Sequence, residues 1–587
     1  MEMIEAASVV SFDFFDTLFK RRVLNPEDVF DIVGGQFKIE NFRDMRREAQ
    51  TEAFKRMHAD KRGEITLEGI YEYFTEHFGE KASLDMMEAE YQAELNVVYP
   101  NPEVVALLLE LQRAKKRVIV VSDMYLPKQF FKDALDRAGI FNVLLFVSSA
   151  LNTTKRDSGE IFNIVIEQLQ CTPDAIVHIG DNPLGDVQRP KEKGLNAWYY
   201  EPSNLPTDLV VNSLSGSIAY GVLNEKIGVQ KPLGDYQEIG YFLGGALNYG
   251  FCKWIAEKVQ HDEIDHVLFL SRDGFCLSQI VSQMEVVFPK HTYFLGSRTA
   301  FTLASIDEQN FTQYIPFFLS GSNGLSVSEL LERIGVESPS KKVMLDLGLD
   351  DSLAISDKNK AMVAKFLLAY KRSILKVCQR NRRGLFTYLQ NINIAPNSNV
   401  AIVDVGWSGS TQDAFENAIS KIMPLNVTGY YLCLSDTIES QQRQQRMKMK
   451  SLVNSGVLSE LTIKSTYRNR VFFEALFSAP HDTIIGWQSS NNEVQPIYDS
   501  GRGKTYDNGA IIKGLCEGIL LFAKQQPLLE KQINVALELE QIVFPVFDFI
   551  NTNESRAHKK IRIIKNFDAW GSSKNFDLDL DTYAVNS

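Results

Sequence analysis

Val9-Val10-Ser11-Phe12-Asp13-Phe14-Phe15-Asp16-Thr17-Leu18 decides the fold class of this 587-residue chain: an apolar run ends on a carboxylate, turns tightly and presents a hydroxyl. Residues 7–18 read as a buried strand, and open α/β sheets place their ligands at the carboxyl ends of such strands. Asp13 is therefore a candidate nucleophile or metal ligand. Three later loops, each after a predicted strand, extend the pattern: Ser122-Asp123, Lys155, and Gly180-Asp181-Asn182-Pro183-Leu184-Gly185-Asp186.

Working outward, residues 25–100 carry a helical pattern opened by Pro26-Glu27-Asp28. After it come a helix over 103–115, a strand over 117–122, a helix over 128–138, a strand over 143–148, a helix over 160–168, a strand over 175–179, a helix from 186 and a short strand over 197–200. Strands alternating with helices of this length predict right-handed crossovers and a parallel sheet. Pro202, Pro206 and Pro232 break the alternation, which makes residues 201–234 a connector. The second half repeats the grammar, with a helix over 236–259, strands over 266–270 and 291–295, helical sequence over 308–390, and strands over 399–403 and 427–434. The expected division is a core over 1–24 and 101–200, a helical insert over 25–100, a second α/β, helix-rich domain over 235–567, and an acidic tail over 568–587. No internal repeat is evident.

Hydrophobic residues at 44% and charged residues at 23% are ordinary globular values and exclude wholesale disorder. A formal charge of −12 argues against broad attraction to nucleic acid or anionic lipid. The six cysteines are scattered without a CxxC pair, which suits a reducing compartment and argues against a zinc cluster or disulfide framework. No signal-like apolar region is complete before Asp13 and no run approaches the ~20 apolar residues of a membrane span. A cytoplasmic protein without a membrane span is expected.

Taken singly, Asp13 and Asp181 read as helix caps, Ser122 as a turn residue and Lys155 as a solvated lysine. Together they supply what attack on a phosphate needs: a carboxylate nucleophile, hard oxygen ligands for Mg²⁺ from Asp181 and Asp186, a point charge from Lys155 and a donor from Ser122. Thr17 and Arg22, close after the nucleophile loop, are the candidates for substrate contact. The other cations of the loop and insert, Lys20, Arg21, Arg43, Arg46 and Arg47, read as solvent-facing. His178, inside a predicted strand, reads as a buried, hydrogen-bonded histidine.

These motifs resemble the haloacid dehalogenase (HAD) superfamily over residues 7–200. The resemblance implies a Rossmann-like parallel sheet with the helical insert as a cap, and Mg²⁺-dependent phosphatase or phosphotransferase activity on a small phosphorylated substrate. It implies that Asp13 forms an aspartyl phosphate, that Ser122 and Lys155 bind the phosphoryl group, and that Asp13, the Phe15 carbonyl, Asp181 and Asp186 hold the metal. One position departs from the family pattern: the general acid two residues after the nucleophile is replaced by Phe15, followed by Asp16. Asp16 as a substitute acid, a substrate with a good leaving group, and a noncatalytic site that binds a phosphorylated ligand in a regulatory or scaffold protein are the readings left open. Dehalogenation is disfavoured, because the intact Asp181 to Asp186 motif points to a metal.

In the second half, Val267 to Gly274 and Ala401 to Thr411 are apolar strands feeding polar turns and then helices, an arrangement that offers backbone N–H groups to an anion. Arg272, Asp273, Asp404, Ser408, Ser410 and Thr411 are expected to line a nucleotide, nucleotide-sugar or sugar-phosphate pocket, and a transferase dependent on such a ligand is an alternative function. With Ser297-Arg298 and Phe473 to Pro480, these phrases make the whole chain similar to large bacterial HAD-domain proteins found among surface-polysaccharide biosynthesis genes. The pair of strand-end loops also bears a low-specificity likeness to phosphoribosyltransferases. The basic run from Gln441 to Lys450 lacks interleaved aromatics and reads as a solvated helix face or loop, not a nucleic-acid site.

Overall fold

The structure, a computed structural model, describes residues 2–201, 211–227, 234–499, 508–552, 556–565 and the single residues 570 and 580. It is an α/β protein with two five-stranded parallel sheets. Two compact units divide the chain: Met1–Leu233 with Gln526–Gln541, and Gly234–Gln525 with Ile542–Ser587. Residues 526–541 thus belong with the first unit, whereas sequence position alone had put them in the second. Most of the expected acidic tail, and residues 202–210 and 228–233 of the connector, lie outside the described residues. The described part of the connector contains the helix Leu214–Ile227, whose Ile218, Ala219 and Tyr220 are fully buried.

In the first unit the strands are β1 (Val9–Phe12), β2 (Phe19–Arg21), β3 (Val98–Pro100), β4 (Arg117–Ser122), β5 (Leu144–Val147), β6 (Ile176–Gly180) and β7 (Asn196–Tyr199). The main sheet has the order β5-β4-β1-β6-β7 and every pairing in it is parallel. The central strands are continuous apolar runs because both faces are covered; Val9, Ile119, Val121 and Phe146 pack with Ile161, Phe162 and Val165 of a crossover helix. The chain runs from β1 toward β4 and β5 and returns to the other side at β6. The topological switch point therefore lies between β1 and β6, where a crevice opens at the carboxyl ends.

The antiparallel pair β2–β3, with Lys20 opposite Tyr99, forms the stem of the insert. Its helices span Asp28–Phe37, Phe42–Ala59, Leu67–Phe78 and Glu80–Val97. Several charges read as solvent-facing are buried: Lys20, Arg21 and Arg46 are at most 8% exposed. Arg46 is fully enclosed and makes two hydrogen bonds to the Glu90 carboxylate, at 2.6 and 2.8 Å, while the Tyr71 hydroxyl donates to the same carboxylate at 2.8 Å. Burial of a charge on this scale is tolerated because Glu90 supplies the opposite charge and each of the three guanidinium nitrogens donates a hydrogen bond, Nη1 to Gln50.

In the second unit β8 (His266–Leu270), β9 (Lys290–Phe294), β10 (Asn399–Asp404), β11 (Asn426–Cys433) and β12 (Lys448–Val453) form a parallel sheet of order β12-β11-β10-β8-β9. Its switch point falls between β8 and β10. The basic run is split between the helix Ile438–Arg446 and the edge strand β12, and Arg443 and Arg446 are both paired with Asp413. A hairpin of β13 (Ile484–Ser490) and β14 (Glu493–Tyr498) turns on Asn491 and Asn492, both at positive φ, and seats Trp487 in the core. No helix among the described residues is long and apolar enough to cross a membrane.

Candidate active site

β1 ends so that the Asp13 N–H donates to the Ile179 carbonyl of β6 at 2.8 Å, which fixes the carboxylate over the switch point. Lys155 reaches it from the loop after β5: its Nζ lies 2.5 Å from Asp13 Oδ1 and 2.6 Å from Asp186 Oδ1. Thr17 Oγ1 donates to Asp181 Oδ1 at 3.1 Å. One carboxylate oxygen from each of Asp13, Asp181 and Asp186 lies within 4.8 Å of the others.

The positions of these groups have local causes. Asn182 accepts from the N–H groups of Leu184 and Gly185, at 3.0 and 2.9 Å, and starts the turn that carries Asp186 back over β6. Asp186 Oδ2 accepts from the Asn182 N–H at 2.9 Å. Gly180 is required there, since a Cβ would stand 2.3 Å from Asp186 Cγ. His178 Nε2 donates to Asp186 Oδ1 at 3.1 Å, so Nδ1 accepts from the Ser11 hydroxyl at 2.7 Å, and the ring is fully buried as its strand position predicts. Asp123, which sequence reasoning noted only as a neighbour of Ser122, accepts the backbone N–H groups of Lys155 and Arg156 at 2.8 and 2.9 Å. It thereby holds the lysine loop. Ser122 is buried at the end of β4.

Burial pushes the Asp13 carboxyl well above the usual range; Lys155 opposes that shift and Asp186 adds to it. Burial also acts on Asp186, but there the lysine and His178 prevail and hold the carboxyl below its ordinary value. Asp181 is pushed up to about 6 by burial, then by the charges of Asp16 and Asp186. Burial disfavours the Lys155 charge, yet Asp13 and Asp186 more than compensate and raise its pKa. Two buried carboxyl groups and a half-buried one with one ammonium are short of positive charge, and their donor atoms are all hard oxygen. That donor set fits a small dication such as Mg²⁺, which Asp13, Asp181 and Asp186 would hold.

Other expectations fare differently. The Thr17 hydroxyl is spent on Asp181 and the residue is fully buried, so it acts through that carboxylate and does not reach substrate. Arg22 turns to the stem, donating to the carbonyls of Asn96 and Val98 at 3.4 and 3.1 Å. Its neighbour Arg21 faces the nucleophile loop, with its guanidinium 4.1 Å above the Phe15 ring. That ring also packs against Phe130 and Phe131, at centroid distances of 6.1 and 6.0 Å. Asp16 adopts a positive φ of 57°, and its side chain is 55% exposed and 3.9 Å from Arg21.

In the second unit Asp273 and Asp404 meet across the switch point. Burial and the neighbouring Asp404 raise the Asp273 carboxyl well above its usual range, and it donates to Asp404, which also accepts from Thr411 and the Gly406 N–H. Burial raises Asp404 as well. Ser408 accepts from Arg443 through its hydroxyl and its carbonyl, both at 3.1 Å, and Ser410 begins the helix Ser410–Ile419. Arg272 lies close enough to influence both Asp273 and His481. Two residues missed in the sequence join this group, His481 and Tyr293, whose hydroxyl donates to His481 Nε2 at 2.6 Å, and within the stretches already singled out Glu474 accepts from Trp407 Nε1 at 2.9 Å. Only a long-range contact reveals His481 and Tyr293, so no local signal marked them.

Residues 7–189, about a third of the chain, match the haloacid dehalogenase-like hydrolase family. That segment is similar to HAD-like hydrolase domains. No curated protein matches the chain. Among solved structures, an L-2-haloacid dehalogenase from Xanthobacter autotrophicus is 20% identical, with 32% of this chain and 76% of that one covered and a TM-score of 0.25. The HAD-hydrolase YfnB of Bacillus subtilis, bound to magnesium, is 18% identical over 34% of this chain and 90% of its own, with a TM-score of 0.26. A HAD family enzyme of Bacteroides thetaiotaomicron, in complex with magnesium and inorganic phosphate, is 15% identical over 34% and 96%, with a TM-score of 0.26.

Proposed function

We propose that the first unit is a Mg²⁺-dependent phosphatase or phosphotransferase that works through an aspartyl phosphate on Asp13. Its substrate is a small phosphorylated metabolite, a sugar phosphate or a nucleotide. The observation that carries this reading is Lys155, buried and bridging Asp13 and Asp186 at hydrogen-bonding distance. A buried ammonium shared by two carboxylates at a switch point presents one charge to the nucleophile and to an incoming phosphate oxygen. Bound between Asp13, Asp181 and Asp186, with the Phe15 carbonyl, a magnesium ion would neutralise the charge that builds up on the phosphoryl oxygens. Asp13 attacks phosphorus, Ser122 and Lys155 bind the phosphoryl group, Thr17 orients Asp181, and Asp123 holds the lysine loop in place.

The motif resemblance along the chain supports a cytoplasmic bacterial setting in surface-polysaccharide biosynthesis. For the second unit, the Asp273–Asp404 pair beside Thr411 and the start of the helix Ser410–Ile419 favours a sugar phosphate or nucleotide as ligand. Carboxyl groups accept from ring hydroxyls, while a helix N-terminus favours phosphate. A second reading of the first unit, a phospho-ligand sensor without turnover, draws support from the phenyl ring at Phe15.

Mg²⁺-dependent phosphate release over a panel of sugar phosphates and nucleotides, compared between wild type, Asp13→Asn and Asp16→Asn, tests the proposal. Release that vanishes in Asp13→Asn is expected. Undiminished release in that variant would sink the nucleophile assignment, and ligand binding without any release would establish the sensor.

A further inference from the structure

We infer that the helix Leu214–Ile227 is a bolt across the hinge of the insert: it holds the insert closed over Asp13, and the insert swings away only when this helix lets go of the chain at residues 22–28. The inference goes beyond the phosphoryl-transfer reading and does not depend on it. The helix also lies outside the matched residues 7–189, so the family likeness does not account for it.

Two crossings join the insert to the sheet that carries Asp13. On the return crossing the helix Glu80–Val97 passes straight into β3, and the core helix Lys128–Arg137 grips it. Arg137 Nη1 donates to the Leu95 carbonyl and to Asn96 Oδ1, both at 3.3 Å, and the Tyr91 hydroxyl donates to Asp133 Oδ2 at 2.6 Å. The outbound crossing is looser, because residues 22–27 have no regular structure between β2 and the helix Asp28–Phe37. Short segments of this kind are where a rigid-body rotation is absorbed. Past Arg22 the chain has left its strand partner, so the Leu24 N–H has to be satisfied from elsewhere. Ser217 supplies the acceptor: its Oγ takes the Leu24 N–H at 2.7 Å and itself donates to Asp28 Oδ2, which also accepts from the Asn25 N–H at 3.2 Å. One turn further on, Gly221 lets the helix lie flush on the crossing, since a Cβ there would stand 2.1 Å from the Arg22 carbonyl oxygen and 2.8 Å from the Val23 nitrogen.

Ser217 and Gly221 are four residues apart and share one face of the helix. Ser215 and Ala219 share the opposite face, and that face is anchored as well. Ser215 Oγ accepts from the Glu538 N–H at 3.0 Å, the Ser215 N–H donates to Gln541 Oε1 at 3.3 Å, and the Ala219 carbonyl accepts from Gln526 Nε2 at 3.4 Å. The helix is thus pressed between the crossing and residues 526–541 of the same unit, and it cannot recoil without breaking bonds on its far face. The angle it holds is the closed one. Away from the hinge, Glu64 of the insert accepts from Ser148 Oγ at 2.8 Å and from Arg156 at 2.8 and 3.1 Å, beside Lys155. Closure of this kind keeps water from a nucleophile until the hinge is released.

The test uses the full chain with spin labels at Lys55→Cys in the insert and Gln168→Cys in the core, both exposed positions, and with the half-buried Cys171 replaced by serine. Electron–electron double resonance then reads the angle of the insert, and a single narrow distance is expected for this parent protein. Ser217→Ala removes both the acceptor for Leu24 and the donor to Asp28, and it should add a second, separate distance. Amide exchange in a peptide spanning residues 22–28 should also quicken about 5- to 10-fold, the equivalent of one lost hydrogen bond, with the β1 and β6 amides unchanged. A bond that only stabilised the fold would quicken exchange without adding the second distance. Gly221→Ala drives the helix off the Arg22 carbonyl and should add the same second distance. A thermal melt confirms folding; if one variant unfolds, the other and the parent's distances decide. Two distances in equal measure in the parent would overturn the inference, as would one unchanged distance in the folded variants.

Discussion

Replacing Lys155 by methionine removes the one cation shared by Asp13 and Asp186 and keeps most of the side chain's volume. Across 2.6 Å, at an effective dielectric of about 20, each contact represents about 6 kcal/mol of gross attraction, most of it offset by desolvation of the buried groups. The kinetic consequence follows from a narrower quantity, the loss of one preorganised charge facing the transferring phosphoryl group. Comparable losses cost about 10²–10³ in kcat, or about 2.7–4 kcal/mol. Lys155→Arg should not rescue the activity, since a planar fork cannot put one nitrogen between two oxygens at 2.5 and 2.6 Å without displacing Asp13 or Asp186. The assay is kcat/KM for Mg²⁺-dependent phosphate release from acetyl phosphate, with a thermal melt to confirm folding. A folded Lys155→Met protein that kept more than a tenth of wild-type kcat/KM would refute the reasoning.

In the insert, Glu90→Gln leaves the fully buried Arg46 without its counter-charge and should cost about 3–5 kcal/mol in urea unfolding, whereas Arg46→Met with Glu90→Leu should cost far less; equal costs would contradict the electrostatic origin. Gly180→Ala should abolish phosphate release while leaving the second unit's melting unchanged, because the new Cβ would overlap Asp186; wild-type rates in that protein would show that Asp186 is not needed where it stands. Burial tends to raise the Asp262 carboxyl, but Lys450, His261 and Tyr430 outweigh it and hold the pKa down to about 2. Since the folded value is depressed, the stabilisation of about 1 kcal/mol, after solvent screening of the lysine, is present above the ordinary carboxylate range and lost as pH falls from about 4 through 2. Asp262→Asn should therefore destabilise at pH 7 and have little effect at pH 2, and an equal destabilisation at both would refute it.

How far the site could be read in advance depends on the range of the forces that set it. Asp13 and Asp181 stand at strand ends, with Asp186 on the turn that follows, and strand ends are local events, visible as apolar runs that stop at a carboxylate. The choice between Arg21 and Arg22 is not local. Successive side chains on a strand point to opposite faces, and the pairing of β2 with β3 decides which of the two faces the nucleophile loop. Sequence proximity favoured Arg22; the register delivered Arg21. Arg46 was legible in principle, because the buried positions of its helix are Phe42, Arg46, Ala49, Ala53 and Met57, so the arginine occupies the apolar stripe itself. Glu90 occupies the matching stripe of its own helix, between Met86 and Ala93. A charge at a core position of one helix is a demand for an opposite charge at a core position of another.

The two sheets answer one electrostatic problem in different ways. Each has carboxylates gathered at its switch point, where burial makes unbalanced charge costly. At the first, Lys155 supplies a permanent cation and the remaining deficit is what a divalent ion would fill, an arrangement suited to an anionic group that arrives with its charge intact. At the second, burial raises both carboxyls, that of Asp273 the more, and the two hydrogen-bond to each other. Such a pair both donates and accepts hydrogen bonds, which matches the hydroxyls of a sugar ring better than a phosphate, and any phosphate on the same ligand would be left to the backbone at the start of the helix Ser410–Ile419. Asp404→Asn keeps the shape but removes the acceptor, so it should weaken binding of a sugar phosphate in the second unit while phosphate release by the first unit stays at the wild-type rate.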